Sequence, residues 1–70
     1  MVEVGDQVKY LEYEGVVLHK GRALVVGFGS EFHGWHDKRW PGYNCWGIQE
    51  KNVELLDYNE IDSAEAEYEI

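Results

Sequence analysis

The sequence predicts an all-β domain, a small barrel of about five strands followed by an acidic, partly disordered C-terminal tail. Three observations predict it. Short apolar runs of period two recur through Leu56, the pattern of half-buried strands. Glycines punctuate those runs at the places where a small sheet must turn or bend. The charge then changes abruptly: residues 1–56 hold eight acids and all six bases, whereas residues 57–70 hold six acids and no base. The barrel is therefore assigned to residues 1–56 and the tail to 57–70.

The elements follow in order. After a Gly5-Asp6 turn, Val8 and Tyr10 alternate with Gln7 and Lys9 in a first strand. Leu11 and Tyr13 continue on the opposite parity, which a bulge or bend near Tyr10 would reconcile. Gly15 to Gly21 reads either as a short strand or as an irregular excursion ending in a Lys-Gly turn. Arg22 to Gly29 is the clearest strand, with Leu24, Val26 and Phe28 on one face and Ala23, Val25 and Gly27 on the other. Gly27 and Gly29 are read as the bends that close the sheet on itself. A long loop, Ser30 to Gly42, intervenes, and loops of that length usually carry a function. Tyr43 to Gln49 returns as a strand with Asn44, Trp46 and Ile48 on one face, so Trp46 is expected in the core. Glu50-Lys51-Asn52 fits a turn and Val53-Glu54-Leu55 a last short strand. In the tail, Asp62-Ser63-Ala64-Glu65 has helix-capping spacing, but a helix of about eight residues is marginal alone.

Size and composition exclude several function classes. A chain of 70 residues is one small domain, in which about 60% of the extended surface is buried and every large apolar side chain is first a candidate for the core. The single cysteine, Cys45, allows neither an internal disulfide nor a thiolate metal cage. The opening Met-Val-Glu-Val-Gly-Asp has no basic or apolar signal region, and no stretch approaches the roughly 20 apolar residues of a membrane span. A cytoplasmic protein without a membrane partner is the expectation. The net charge of −8 opposes nucleic-acid binding, which depends on lysine and arginine contacts to phosphate, and favours basic partners.

Three stretches together resemble the SH3-like small barrels, including KOW-type modules and the short SH3-like proteins encoded by bacteriophages. They are Val4-Gly5-Asp6-Gln7-Val8-Lys9-Tyr10, then Lys20-Gly21-Arg22-Ala23-Leu24-Val25-Val26-Gly27-Phe28, then Cys45 to Leu56 with its Glu50-Lys51-Asn52-Val53-Glu54-Leu55 close. The resemblance covers about residues 2–56. It implies a Gly-Asp-x-Val strand start, a Lys-Gly turn into a strand, and a final Asn-Val-Glu-Leu strand after a short helical turn. It also implies a non-enzymatic binding module, in phages an accessory protein or modulator of host machinery working in the host cytoplasm. The Ala-Leu-Tyr-Asp-Tyr strand and Pro-Ser-Asn-Tyr-Val turn of proline-reading SH3 domains are not matched, which argues against polyproline recognition.

Residues 32–46 hold all three tryptophans, two of the three histidines, the only proline and the only cysteine. Tryptophan, tyrosine and arginine carry most of the energy in compact protein contacts. A protein partner is therefore expected to dock on the Trp-rich loop 32–43, with Trp35, Trp40 and Tyr43 as anchors, Lys38 and Arg39 as polar or cation–π contacts and His33 and His36 beside them. The competing reading of each loop tryptophan is a lid over the open end of the barrel. His33 and His36, with Asp37, Cys45 and His19, invite a zinc site, but no ligand-pair motif supports one, so no metal and no cofactor is expected. Cys45 sits mid-strand rather than in an electropositive opening, so no catalysis is expected. Two alternatives remain at this point. Asp57, Glu60, Asp62, Glu65, Glu67 and Glu69 could imitate nucleic-acid charge in a basic groove, or the aromatics could stack single-stranded RNA or DNA as in a KOW-like barrel. Exposed tryptophans on a small domain also leave a homo-oligomer open.

Overall fold

Apolar alternation becomes a single antiparallel sheet in this protein, seen in a computed structural model that describes residues 1–56. Its strands are β1 (Gln7–Tyr10), β2 (Tyr13–Lys20), β3 (Leu24–Phe28), β4 (Asn44–Ile48) and β5 (Glu54–Leu55). They lie in the order β4-β3-β2-β1-β5, and a 3-10 turn, Glu50–Asn52, leads into β5. The acidic tail, with Asp57, Glu60, Asp62, Glu65, Glu67 and Glu69, and the capping pattern at Asp62, lie outside the described residues.

The clearest strand of the sequence fills the core. Leu24, Val26 and Phe28 on β3 are buried with Val8, Val17, Ile48 and Val2. Each such side chain contributes about 1.5–3 kcal/mol when fully withdrawn from water. The Val2 end of the chain is fastened where its N–H donates to Glu50 Oε2 at 3.1 Å. Gly27 is required by packing: a Cβ there would lie 2.7 Å from both Leu18 Cδ1 and Tyr43 Cδ1. The β3 backbone must stay bare for the Tyr43 ring to lie on it.

Three features differ from the expectations. The parity change after Tyr10 is a two-residue hairpin turn, because Tyr10 pairs directly with Tyr13; Leu11 occupies the turn with φ +57°. The ladder irregularity lies in β2 instead, between Val17 and His19. The ambiguous Gly15 to Gly21 stretch is thus strand as far as Lys20, bent by one unpaired residue. Among the described residues the sheet also stays open. β4 and β5 are its edges, and β5, two residues long, pairs only with β1.

The largest correction concerns Trp46. Expected in the core, it is 42% exposed. Parity placed it correctly on the face of Val26, its register partner, but β4 is an edge strand and another ring has taken the inner position. Phe32, from the loop, stacks on the buried Phe28 at 4.1 Å between centroids. Trp46 meets Phe32 from outside, edge-on at 5.9 Å.

Candidate functional site

The β3–β4 loop is held by its own polar residues. Asp37 organises the turn at 37–40: its Oδ1 accepts the backbone N–H and the Nε–H of Arg39, both at 3.0 Å, and its Oδ2 accepts Nη2–H at 2.8 Å. A weaker bond comes to Oδ2 from the Trp35 indole N–H at 3.5 Å. These donors, the Arg39 side chain foremost, hold the Asp37 carboxyl far below the usual carboxylate range. The Trp40 N–H closes the turn on the Asp37 carbonyl at 3.0 Å.

Asn44 ties the loop to the sheet. Its amide nitrogen donates to the Gly29 carbonyl at 2.8 Å, which leaves its oxygen to accept from His36 Nε2–H at 2.9 Å. Further along, Trp35 exchanges two backbone bonds with Cys45, at 3.0 and 2.8 Å, a one-residue addition to the β4 edge. Pro41-Gly42, with Gly42 at φ +90°, makes the turn that brings Tyr43 onto Gly27.

This scaffold separates the expected anchors into two places. Trp40 folds onto the outer face of the sheet, half-buried, with its ring 6.4 Å from His19 on β2 and the Arg39 guanidinium 4.5 Å above it. It packs on the sheet rather than standing free in solvent. With His36, Asp37, Pro41, Tyr43 and Asn44 it borders a hollow of about 310 Å³. Trp35 touches the 37–40 turn only through its indole N–H on Asp37; it does not border the hollow, is 41% exposed and lies 6.1 Å from Trp46. His33 and Lys38 are exposed outside the hollow, and Arg39 is engaged by Asp37 within its own chain.

The sequence reading missed the aromatic series that carries the Trp35–Trp46 pair. From the core outward it runs Tyr10 to Phe28 at 6.5 Å, Phe28 to Tyr13 at 6.3 Å and Tyr13 to Phe32 at 5.0 Å, then to Trp46 and Trp35. Edge-to-face and tilted contacts in this range each add about 0.5–1.5 kcal/mol beyond area burial. The signal available was the parity of Tyr10, Tyr13 and Phe28; nothing in the sequence placed Phe32 over Phe28.

No protein-family model, curated protein or solved structure matches this chain. Function must therefore be read from the geometry. Cys45 is fully buried, and burial pushes its thiol above its ordinary range. A neutral thiol without access is a packing group. Among the described residues no group of three or more histidines, cysteines or acids is gathered for a metal ion, and no helix is long and apolar enough to cross a membrane.

Proposed function

We propose that this protein is a non-enzymatic protein-binding module of the SH3-like type, docking through the β3–β4 loop and the β4 residues beside it. The observation that carries the reading is the pair Trp35 and Trp46, 41% and 42% exposed and in ring contact at the rim of the core. Two adjacent indoles held half in water cost solvation, and rigid aromatic anchors of this kind dominate protein interfaces. Trp35 is fixed by its backbone pairing with Cys45 and Trp46 by β4, so little backbone freedom remains to be lost on binding.

Support for the SH3-like type comes from the short helical turn Glu50–Asn52, joined through Val53 to β5, and from the Gly5-Asp6 turn that starts β1. The role of accessory protein or modulator rests on the likeness to short phage-encoded proteins. Trp40, Tyr43 and His36 form a second, recessed element of the same loop, able to accept one side chain in the hollow they border.

Affinity capture from the source cell tests the reading. The wild-type chain is expected to retain a partner that the Trp35→Ala/Trp46→Ala variant loses while keeping a cooperative unfolding transition. Equal retention by a folded double variant would overturn it.

A further inference from the structure

Charge is segregated along β2. Near its C-terminal end, the β2–β3 turn and the 37–40 turn are joined by the His19–Trp40 contact. They bring Lys20, Arg22, Lys38 and Arg39 to one end, where Lys20 pairs with Glu3 and Arg39 with Asp37, and where Asp6 and Glu50 lie beside Glu3 through their bonds to the Glu3 and Val2 N–H groups. The rest of residues 1–56 has two bases, Lys9 and Lys51, against four acids, Glu12, Glu14, Glu31 and Glu54. At the N-terminal end of β2, up to about 26 Å away for an eight-residue strand, stands the Leu11-Glu12 turn.

Leu11 is unusual in two independent ways. It is 73% exposed, and its φ of +57° lies in the left-handed region, which a branched side chain occupies at a cost that glycine or asparagine avoids. It also stands between Tyr10 and Tyr13, the inner rings of the series that ends in Phe32, Trp46 and Trp35. At the hairpin tip Leu11 therefore extends in sequence a series of half-buried rings that reaches the β4 edge, with Glu12 following Leu11 and Glu31 preceding Phe32 in the chain.

We propose that Leu11 is a further anchor of the docking surface and that the series from Leu11 to Trp35 takes a basic, apolar segment of a partner protein. The inference rests on the binding-module reading and adds the chemistry of the occupant. Leucine or aliphatic groups of the segment cover Leu11 and the ring edges. Its lysine or arginine cations meet Glu12, Glu31 and the indole faces, where a cation gains most once water is excluded. The net charge of −8 steers such a segment toward the molecule, and Arg39 beside the Trp35 end is neutralised by its pair with Asp37.

The three indole N–H signals of the ¹⁵N-labelled full-length chain report the two ends separately. The probes are a 12-residue peptide of alternating arginine and leucine, its glutamate–leucine counterpart, and a thymidine 12-mer. The arginine–leucine peptide is expected to shift Trp35 and Trp46 and leave Trp40 in place. Leu11→Gly keeps every charge, so it is expected to weaken that binding about tenfold, the worth of one lost leucine contact, while the thermal midpoint rises by about 4 °C from relief of the turn. Leu11→Asn, which tolerates the same backbone, is the second variant and is expected to bind as weakly. Unchanged affinity in both folded variants overturns the role of Leu11. A glutamate–leucine peptide that shifts Trp35 and Trp46 as strongly overturns the basic occupant and leaves the docking face standing. Shifts confined to Trp40, no shift with any probe, or shifts of Trp35 and Trp46 by the thymidine 12-mer alone overturn the inference and the docking face together.

Discussion

Phe32→Ala is the perturbation that reaches furthest into this structure, because one loop side chain both caps the core and leaves Trp46 outside it. Truncating a fully buried phenylalanine costs about 3–5 kcal/mol. Phe32 is half-buried, so about half of that applies. Its three ring contacts, stacked on Phe28 at 4.1 Å and edge-on to Tyr13 and Trp46 at 5.0 and 5.9 Å, add about 0.5–1.5 kcal/mol each at full strength and less in sum. The expected loss is about 3 kcal/mol. For a small domain that is a large share of a total of roughly 3–8 kcal/mol, and it lowers the thermal midpoint by about 12–24 °C. Urea unfolding followed by tryptophan fluorescence measures it. Phe32→Leu keeps apolar volume without the ring contacts and should lose only about 1–1.5 kcal/mol. A loss below about 1 kcal/mol for Phe32→Ala would refute the reasoning, since the ring would then not be seated on Phe28.

Other perturbations probe the remaining supports. Gly27→Val places side-chain atoms against Leu18 and Tyr43 and should cost about 1–3 kcal/mol as overpacking, read by urea unfolding. Asp37 is held as a carboxylate by Arg39 and its folded value is depressed, so its contribution is complete above the ordinary aspartate range near 3.9, declines below it, and is gone only once pH has fallen through the depressed folded value. The Trp35 and Trp40 indole signals of the folded chain should therefore stay in place through the ordinary aspartate range near 3.9 and move together only well below it, and Asp37→Asn should abolish that acid step. The buried Cys45 thiol should react with a disulfide reagent at least about a hundredfold more slowly in the native chain than in urea; equal rates would show that the Trp35–Cys45 pairing does not cover the strand.

The β-sheet was legible in the sequence where one face is buried and the other wet. Leu24, Val26 and Phe28 announced β3 because a strand that alternates strictly has only one register that buries its apolar set. The turn at Leu11 was not legible, because a leucine at positive φ contradicts every local turn preference. Trp46 shows the limit of parity: alternation assigns a face, but whether that face is covered depends on the neighbouring strand and the loop, here on Phe32 arriving over Phe28. Half of the candidate site was visible as the concentration of aromatics in residues 32–46. The proposed other half, Tyr10, Leu11 and Tyr13, lies nineteen or more residues before that segment and reaches it only through the β1–β2 hairpin. The division between Trp40 and Trp35 depends on Asp37 and Asn44, whose bonds fold the loop so that one indole meets His19 and the other the β4 edge.

The central claim is that Trp35 and Trp46 form the docking surface and Trp40 does not lead it. Replacing each tryptophan in turn by the photoreactive residue benzoylphenylalanine and irradiating in the source cell tests this directly. One and the same protein cross-linked from positions 35 and 46, and weakly or not at all from position 40, is the predicted result. Adducts formed only from position 40, or from none of the three in a chain that still folds, would contradict the account.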